Sequence, residues 1–117
     1  EVLGITIESG DGWQKENTAH ALRLLELVGR TEVPVVPGAT YPLINTEEGT
    51  RRWERMYGKL PYKGAWMEDW PDYNTVQRTR HHAPDVVPPL AAGDPVTAPA
   101  AETAAAFLVR KVREFPA

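Results

Sequence analysis

Apolar residues fall into two short, nearly continuous runs and a pair of helical stripes, separated by breaks rich in glycine and proline. The run Val2-Leu3-Gly4-Ile5-Thr6-Ile7 is largely β-branched, as expected of a strand covered on both faces. A turn of buried helix is the alternative, but the run is short and Gly4 interrupts it. Ser9-Gly10-Asp11-Gly12 then turns the chain at the carboxyl end of that strand, which is where open α/β sheets bind ligands. The spacing predicts a helix beginning between Lys15 and Thr18, with Asn17 a candidate cap. Ala21, Leu24, Leu25 and Val28 form its apolar stripe, Leu22 and Leu27 widen it, and Arg23, Glu26 and Arg30 face water. Gly29 suits a left-handed residue at the helix end. Val33-Pro34-Val35-Val36 reads as a second buried strand whose proline marks its start or an amide the ladder does not need, and Pro37-Gly38-Ala39 ends it. Residues 1–40 are therefore one strand–helix–strand unit of a parallel sheet.

Regularity thins from Thr40 to Ala98, where seven of the eleven prolines and three of the four tryptophans lie. One short helix is predicted between Asn45 and Gly58, where Asn45 and Glu48 resemble a capping box and Trp53, Met56 and Tyr57 make the apolar face. The rest has no sustained period, and its aromatic content argues for a packed lid or insertion rather than plain disorder. The last helix is expected to open at Pro99, with Glu102 near its positive end and Arg110, Lys111 and Arg113 near its negative end. Ala101, Ala105, Leu108 and Val112 form the predicted buried stripe, and Pro116 stops it.

Composition narrows the field. At 117 residues there is room for one domain at most, and 42% apolar with 25% charged residues is ordinary for a globular chain. A formal charge of −3 and the lack of a basic run with interleaved aromatics argue against a nucleic-acid partner. No apolar stretch is long enough to span a membrane. The absence of cysteine removes disulfides, thiolate metal sites and a cysteine nucleophile together. Because the sequence opens inside a strand and offers few neighbours for it, the expectation is a piece of a larger α/β domain.

Taken alone, residues 9–12 could cradle an anion on backbone amides, but they lack a dinucleotide fingerprint and the lysine of a phosphate loop. A plain turn, with Asp11 a surface carboxylate, is the simpler reading. His81-His82 read as exposed loop histidines; with Asp85 alone they have too few partners for a metal site. His20 lies within the first helix and is expected to pack or face water. Trp66, Trp70 and Tyr73 could stack on a planar ligand, but the favoured reading is the small core that holds the insertion together.

The order of several segments resembles a known family. Val2-Leu3-Gly4-Ile5-Thr6 with Ser9-Gly10, then residues 22–30 (LRLLELVGR), then Val33-Pro34-Val35 with Gly38-Ala39, is similar to the inosine/uridine-preferring nucleoside hydrolases. Residues 57–66 (YGKLPYKGAW) and 99–110 (PAAETAAAFLVR) resemble one branch of that family. The resemblance implies an open, mainly parallel α/β sheet with flanking helices. Residues 41–98 would then be an irregular insertion or lid and residues 99–115 a helix.

It also implies hydrolysis of the N-glycosidic bond of ribonucleosides, releasing ribose and free base. Members of the family bind calcium through an N-terminal Asp-x-Asp-x-x-x-Asp-Asp motif, an oxygen shell that suits a hard cation and can activate water. Those aspartates would lie upstream of Glu1, and further metal contacts with a catalytic histidine downstream of Ala117. No metal ligand is therefore assigned in this chain, and the isolated piece is expected to be inactive. Where the family carries Asn after Ser-Gly, this chain has Asp11, which keeps an oxygen ligand but loses an amide donor and adds charge. Asp11 is the candidate substrate-binding residue, and His82 and His81 are the candidate catalytic residues of a loop over the base. The resemblance further implies a small-molecule ribonucleoside partner and a homo-oligomer. A non-catalytic homologue or ligand-binding α/β module, and a generic phosphate-binding module, are the rival readings.

Overall fold

Strand β1 (Ile5–Ile7) pairs in parallel with β2 (Val35–Pro37), Ile5 opposite Val35 and Ile7 opposite Pro37. The computed structural model describes residues 2–66 and 82–116. Helix α1 (Gln14–Leu27) crosses between the strands, so the predicted strand–helix–strand unit is present. Helix α2 (Glu47–Tyr57), a short 3-10 helix (Gly64–Trp66) and α3 (Ala104–Glu114) complete the described elements. The fold is α/β: an open parallel sheet flanked by helices.

Alternation along the strands divides the core in two. Val35 packs with Leu22, Leu25 and Val33, and Ile5, Ile7 and Ala21 close against that cluster. Val36, fully buried, points the other way, toward the side on which α3 lies. There Phe107 sits with its ring against Gly4, where a β-carbon would stand 2.4 Å from Cζ. Gly4, immediately before β1, thus makes room for the aromatic anchor of α3. Both faces of β2 are covered, which explains its unbroken apolar character.

Several boundaries differ from the sequence reading. Helix α1 starts at Gln14, and its opening amide is capped from a distance by Ser9 Oγ at 2.8 Å. Asn17 lies inside the first turn and donates back to the Glu8 and Gly12 carbonyls. The buried face runs through Gln14, Thr18, Leu22 and Leu25, whereas Leu24, Leu27 and Val28 are exposed. Polar residues are tolerated on that face because Gln14 Nε2 donates to Thr18 Oγ1, which donates to the Gln14 carbonyl. Gly29 has the expected left-handed backbone, φ +66.

Helix α2 is capped by Thr46, not Asn45, with Thr46 Oγ1 accepting from Gly49 N. Its predicted apolar residues Trp53, Met56 and Tyr57 are exposed. Helix α3 begins after Thr103, whose hydroxyl accepts from Ala106 N. Residues 99–102 instead run beside the sheet, where the Ala100 amide bonds the Val35 carbonyl at 2.8 Å. Phe107 is the buried residue of α3; Leu108, Val112, Ala105 and Ala101 are exposed.

Glu26 is a further departure. Its side chain is 9% exposed, and one carboxylate oxygen accepts from Val96 N, Thr97 N and Thr97 Oγ1 at 2.7 to 2.8 Å. Arg23 bonds the other oxygen at 3.0 Å. The Thr97 amide and hydroxyl, with Arg23 and the Val96 amide adding to them against some desolvation, hold this carboxyl down to about 2. It pins the returning chain to α1.

Candidate functional site

The carboxyl ends of both strands converge on the turn at residues 8–12. Ser9 Oγ donates to the Thr40 carbonyl after β2 while accepting from Gln14 N at the start of α1. One hydroxyl therefore joins β1, β2 and α1. The turn is closed by Gly10 N on the Gly12 carbonyl at 3.1 Å, and Asn17 braces it from the helix.

Residues 60–66 dock against this turn. Ala65 N donates to the Gly10 carbonyl at 2.9 Å. Gly64 has φ +58, and a β-carbon there would lie 2.4 Å from Gly10 O, so the approach and the backbone both require glycine. The Tyr62 hydroxyl donates to Asp11 Oδ1. Trp66 meets Trp13 edge to face, centroids 4.8 Å apart, and Tyr41 lies nearly parallel to Trp66 at 6.3 Å. Trp66 thus packs in the small aromatic core that seats the segment. From the other side Lys63 Nζ reaches both oxygens of Glu54 at 3.0 Å, and Glu54 also accepts from Leu60 N. These contacts, the Lys63 bond first, lower the Glu54 pKa.

Between the turn and this segment opens a cleft of about 380 Å³, lined among others by Ser9, Asp11, Asn45, Tyr62, Lys63 and Trp66. It presents a carboxylate and a phenol beside an aromatic wall. Asn45 Oδ1 accepts from Thr50 Oγ1 at 3.1 Å, which leaves its amide group as a donor. Such a lining suits a small ligand with several hydroxyl groups: acceptors for its protons, and an apolar surface for its carbon face.

His82 is placed elsewhere. Its Nε2 lies 3.1 Å from Glu16 Oε2 and its Nδ1 2.9 Å from the Ala83 carbonyl, and its carbonyl accepts from the Trp13 indole at 2.9 Å. With Lys15 Nζ on the Asp85 carbonyl, these bonds clamp residues 82–85 to the first turns of α1. The cleft lining includes Asp11 but not His82. His81, Trp70 and Tyr73 lie outside the described residues. His20 is exposed, 3.9 Å from the other oxygen of Glu16.

Among the described residues no three His, Cys, Asp or Glu side chains converge to hold a metal ion. Asp11, with one oxygen engaged by Tyr62, does not by itself make the roughly six to eight oxygen contacts that calcium takes. The described residues therefore do not fit the calcium that the resemblance implies.

The sequence profile of the family described as inosine-uridine preferring nucleoside hydrolase matches residues 1–117. The chain belongs to that family. Among curated proteins, none matches the sequence. The match covers the whole chain, including the stretches between the end and middle segments on which the resemblance rests. Sequence reasoning placed Asp11 of this nucleoside hydrolase family member at the turn but missed Tyr62 as its partner. The only signal was the local string Leu60-Pro61-Tyr62-Lys63-Gly64, whose glycine hints at a close backbone approach.

Proposed function

We propose that the protein hydrolyses the N-glycosidic bond of ribonucleosides, with Asp11 binding the sugar. The observation that carries this reading is Asp11 lining a cleft at the carboxyl end of β1, in a chain of the nucleoside hydrolase family. In the reaction water adds to the anomeric carbon through its oxygen and releases one proton. The bond to the base breaks and the departing base takes up one proton, so that one nucleoside and one water become one ribose and one free base. The sugar passes through an oxocarbenium-like state, which a nearby carboxylate stabilises. Asp11 accepts a hydrogen bond from a ribose hydroxyl, and Trp66 with Tyr62 bounds the pocket. Protonating the base helps it leave, and His81 is the proposed source. His82, held on Glu16, ties residues 82–85 to α1.

Measuring reducing sugar released from inosine and uridine, with calcium or a chelator present, tests the reading. The protein expressed from its complete reading frame is expected to release ribose, and Asp11→Ala to lower kcat/KM at least about tenfold. No release from any ribonucleoside with calcium supplied refutes it. The engagement of Asp11 by Tyr62, at a position where the family carries Asn, favours as second reading a module that binds the sugar without cleaving it; ribose binding without turnover would support that.

A further inference from the structure

We infer that the hydroxyl of Tyr62 is the positioning group for Asp11, so that the segment at residues 60–66 sets the orientation of the sugar-binding carboxylate. The inference rests on the proposed role of Asp11 and deepens it.

Three observations converge. Tyr62 lies 51 positions from Asp11 in the chain, yet its hydroxyl donates to Asp11 Oδ1 within the cleft lining. The segment that carries Tyr62 is fixed to the same turn by main-chain contacts, Ala65 N to Gly10 O and the close approach of Gly64. Its far side is anchored by Lys63 on Glu54, a pair whose side chains are only 11% and 15% exposed. The phenol is thus delivered to Asp11 by a braced arm, while Asp11 itself sits on an exposed turn with no other described partner. A turn carboxylate without such a bond samples several rotamers, whereas one accepting from a fixed phenol holds its second oxygen in one direction. That oxygen is the acceptor left for a ligand hydroxyl, so the class of ligand is a neutral polyol of ribose type. Partial burial first, then the Asp11 bond and charge, push the Tyr62 hydroxyl up to about 12, so the donor stays protonated at any working pH.

The test uses D-ribose binding by calorimetry on the protein from its complete reading frame, together with ring-13C-labelled tyrosine spectra. Tyr62→Phe is expected to weaken ribose binding about tenfold, to raise KM more than it lowers kcat where turnover is seen, and to leave the thermal midpoint within a few degrees. Asp11→Asn is expected to lower the pH at which the Tyr62 resonance, assigned by its loss in Tyr62→Phe, titrates, because the negative charge that keeps the proton on the phenol is removed. Unchanged ribose affinity in Tyr62→Phe overturns the inference, as does an unchanged Tyr62 titration in Asp11→Asn. Failure of the wild-type protein to bind ribose overturns it too, since Asp11 then has no hydroxyl to orient. Ribose binding without turnover overturns the proposed hydrolysis but supports the positioning role.

Discussion

The ring of Phe107 rests on the backbone of Gly4, close enough that an added methyl group would stand 2.4 Å from Cζ and 3.0 Å from Cε1. Phe107 is 3% exposed, so the ring has little space to retreat. Gly4→Ala is expected to destabilise the fold by about 1–3 kcal/mol through overpacking. Phe107→Leu in the same background should recover part of the loss. Urea unfolding followed by circular dichroism measures both; equal stability of wild type and Gly4→Ala would contradict the packing described.

Ser9→Ala removes the hydroxyl that joins Gln14 N and the Thr40 carbonyl. The loss resembles that of a helix cap, and the expected cost is about 1–2 kcal/mol. Because the native surface is otherwise retained, the urea midpoint should move while the slope of the transition does not.

Glu26 provides a pH signature. Its folded pKa, about 2, lies below the ordinary carboxylate value of 4.5, so between these values the unfolded chain binds more protons than the folded one. Its contribution is therefore complete above about pH 4.5 and is lost as pH falls toward 2. Glu26→Gln should lower stability at neutral pH and flatten the acid limb of a plot of unfolding free energy against pH. An acid limb of unchanged steepness would count against it.

The Glu54–Lys63 pair joins α2 to the cleft wall. Removing one partner leaves a charge in a mostly covered place, so Glu54→Gln and Lys63→Met should each lower the urea midpoint. The double variant should fall by less than their sum. Strict additivity would mean that the two groups do not support one another.

The strand–helix–strand unit was legible because a short β-branched run, a helical period and a terminal glycine each act through neighbouring residues. The exact helix faces were not. The amide cap of α1 comes from Ser9, outside the helix, and Gln14 with Thr18 satisfy one another on a buried face that hydrophobicity alone assigns elsewhere. Pro99 looked like a helix opener, but the Ala100 amide is taken by the Val35 carbonyl, so α3 waits for Thr103. Asp11 was visible as a turn residue beside a strand end. Its pairing with Tyr62, like that of Glu16 with His82, spans a separation over which no local pattern exists.

Gly10 and Gly64 meet through main-chain atoms on both sides of the seam. Side-chain identity at Asp11 and Tyr62 can therefore be exchanged without shifting the walls that carry them. A side chain at position 64 would force the two walls apart, whereas one at position 10 would meet nothing within 4 Å, so among the described residues the width of the cleft hangs on Gly64.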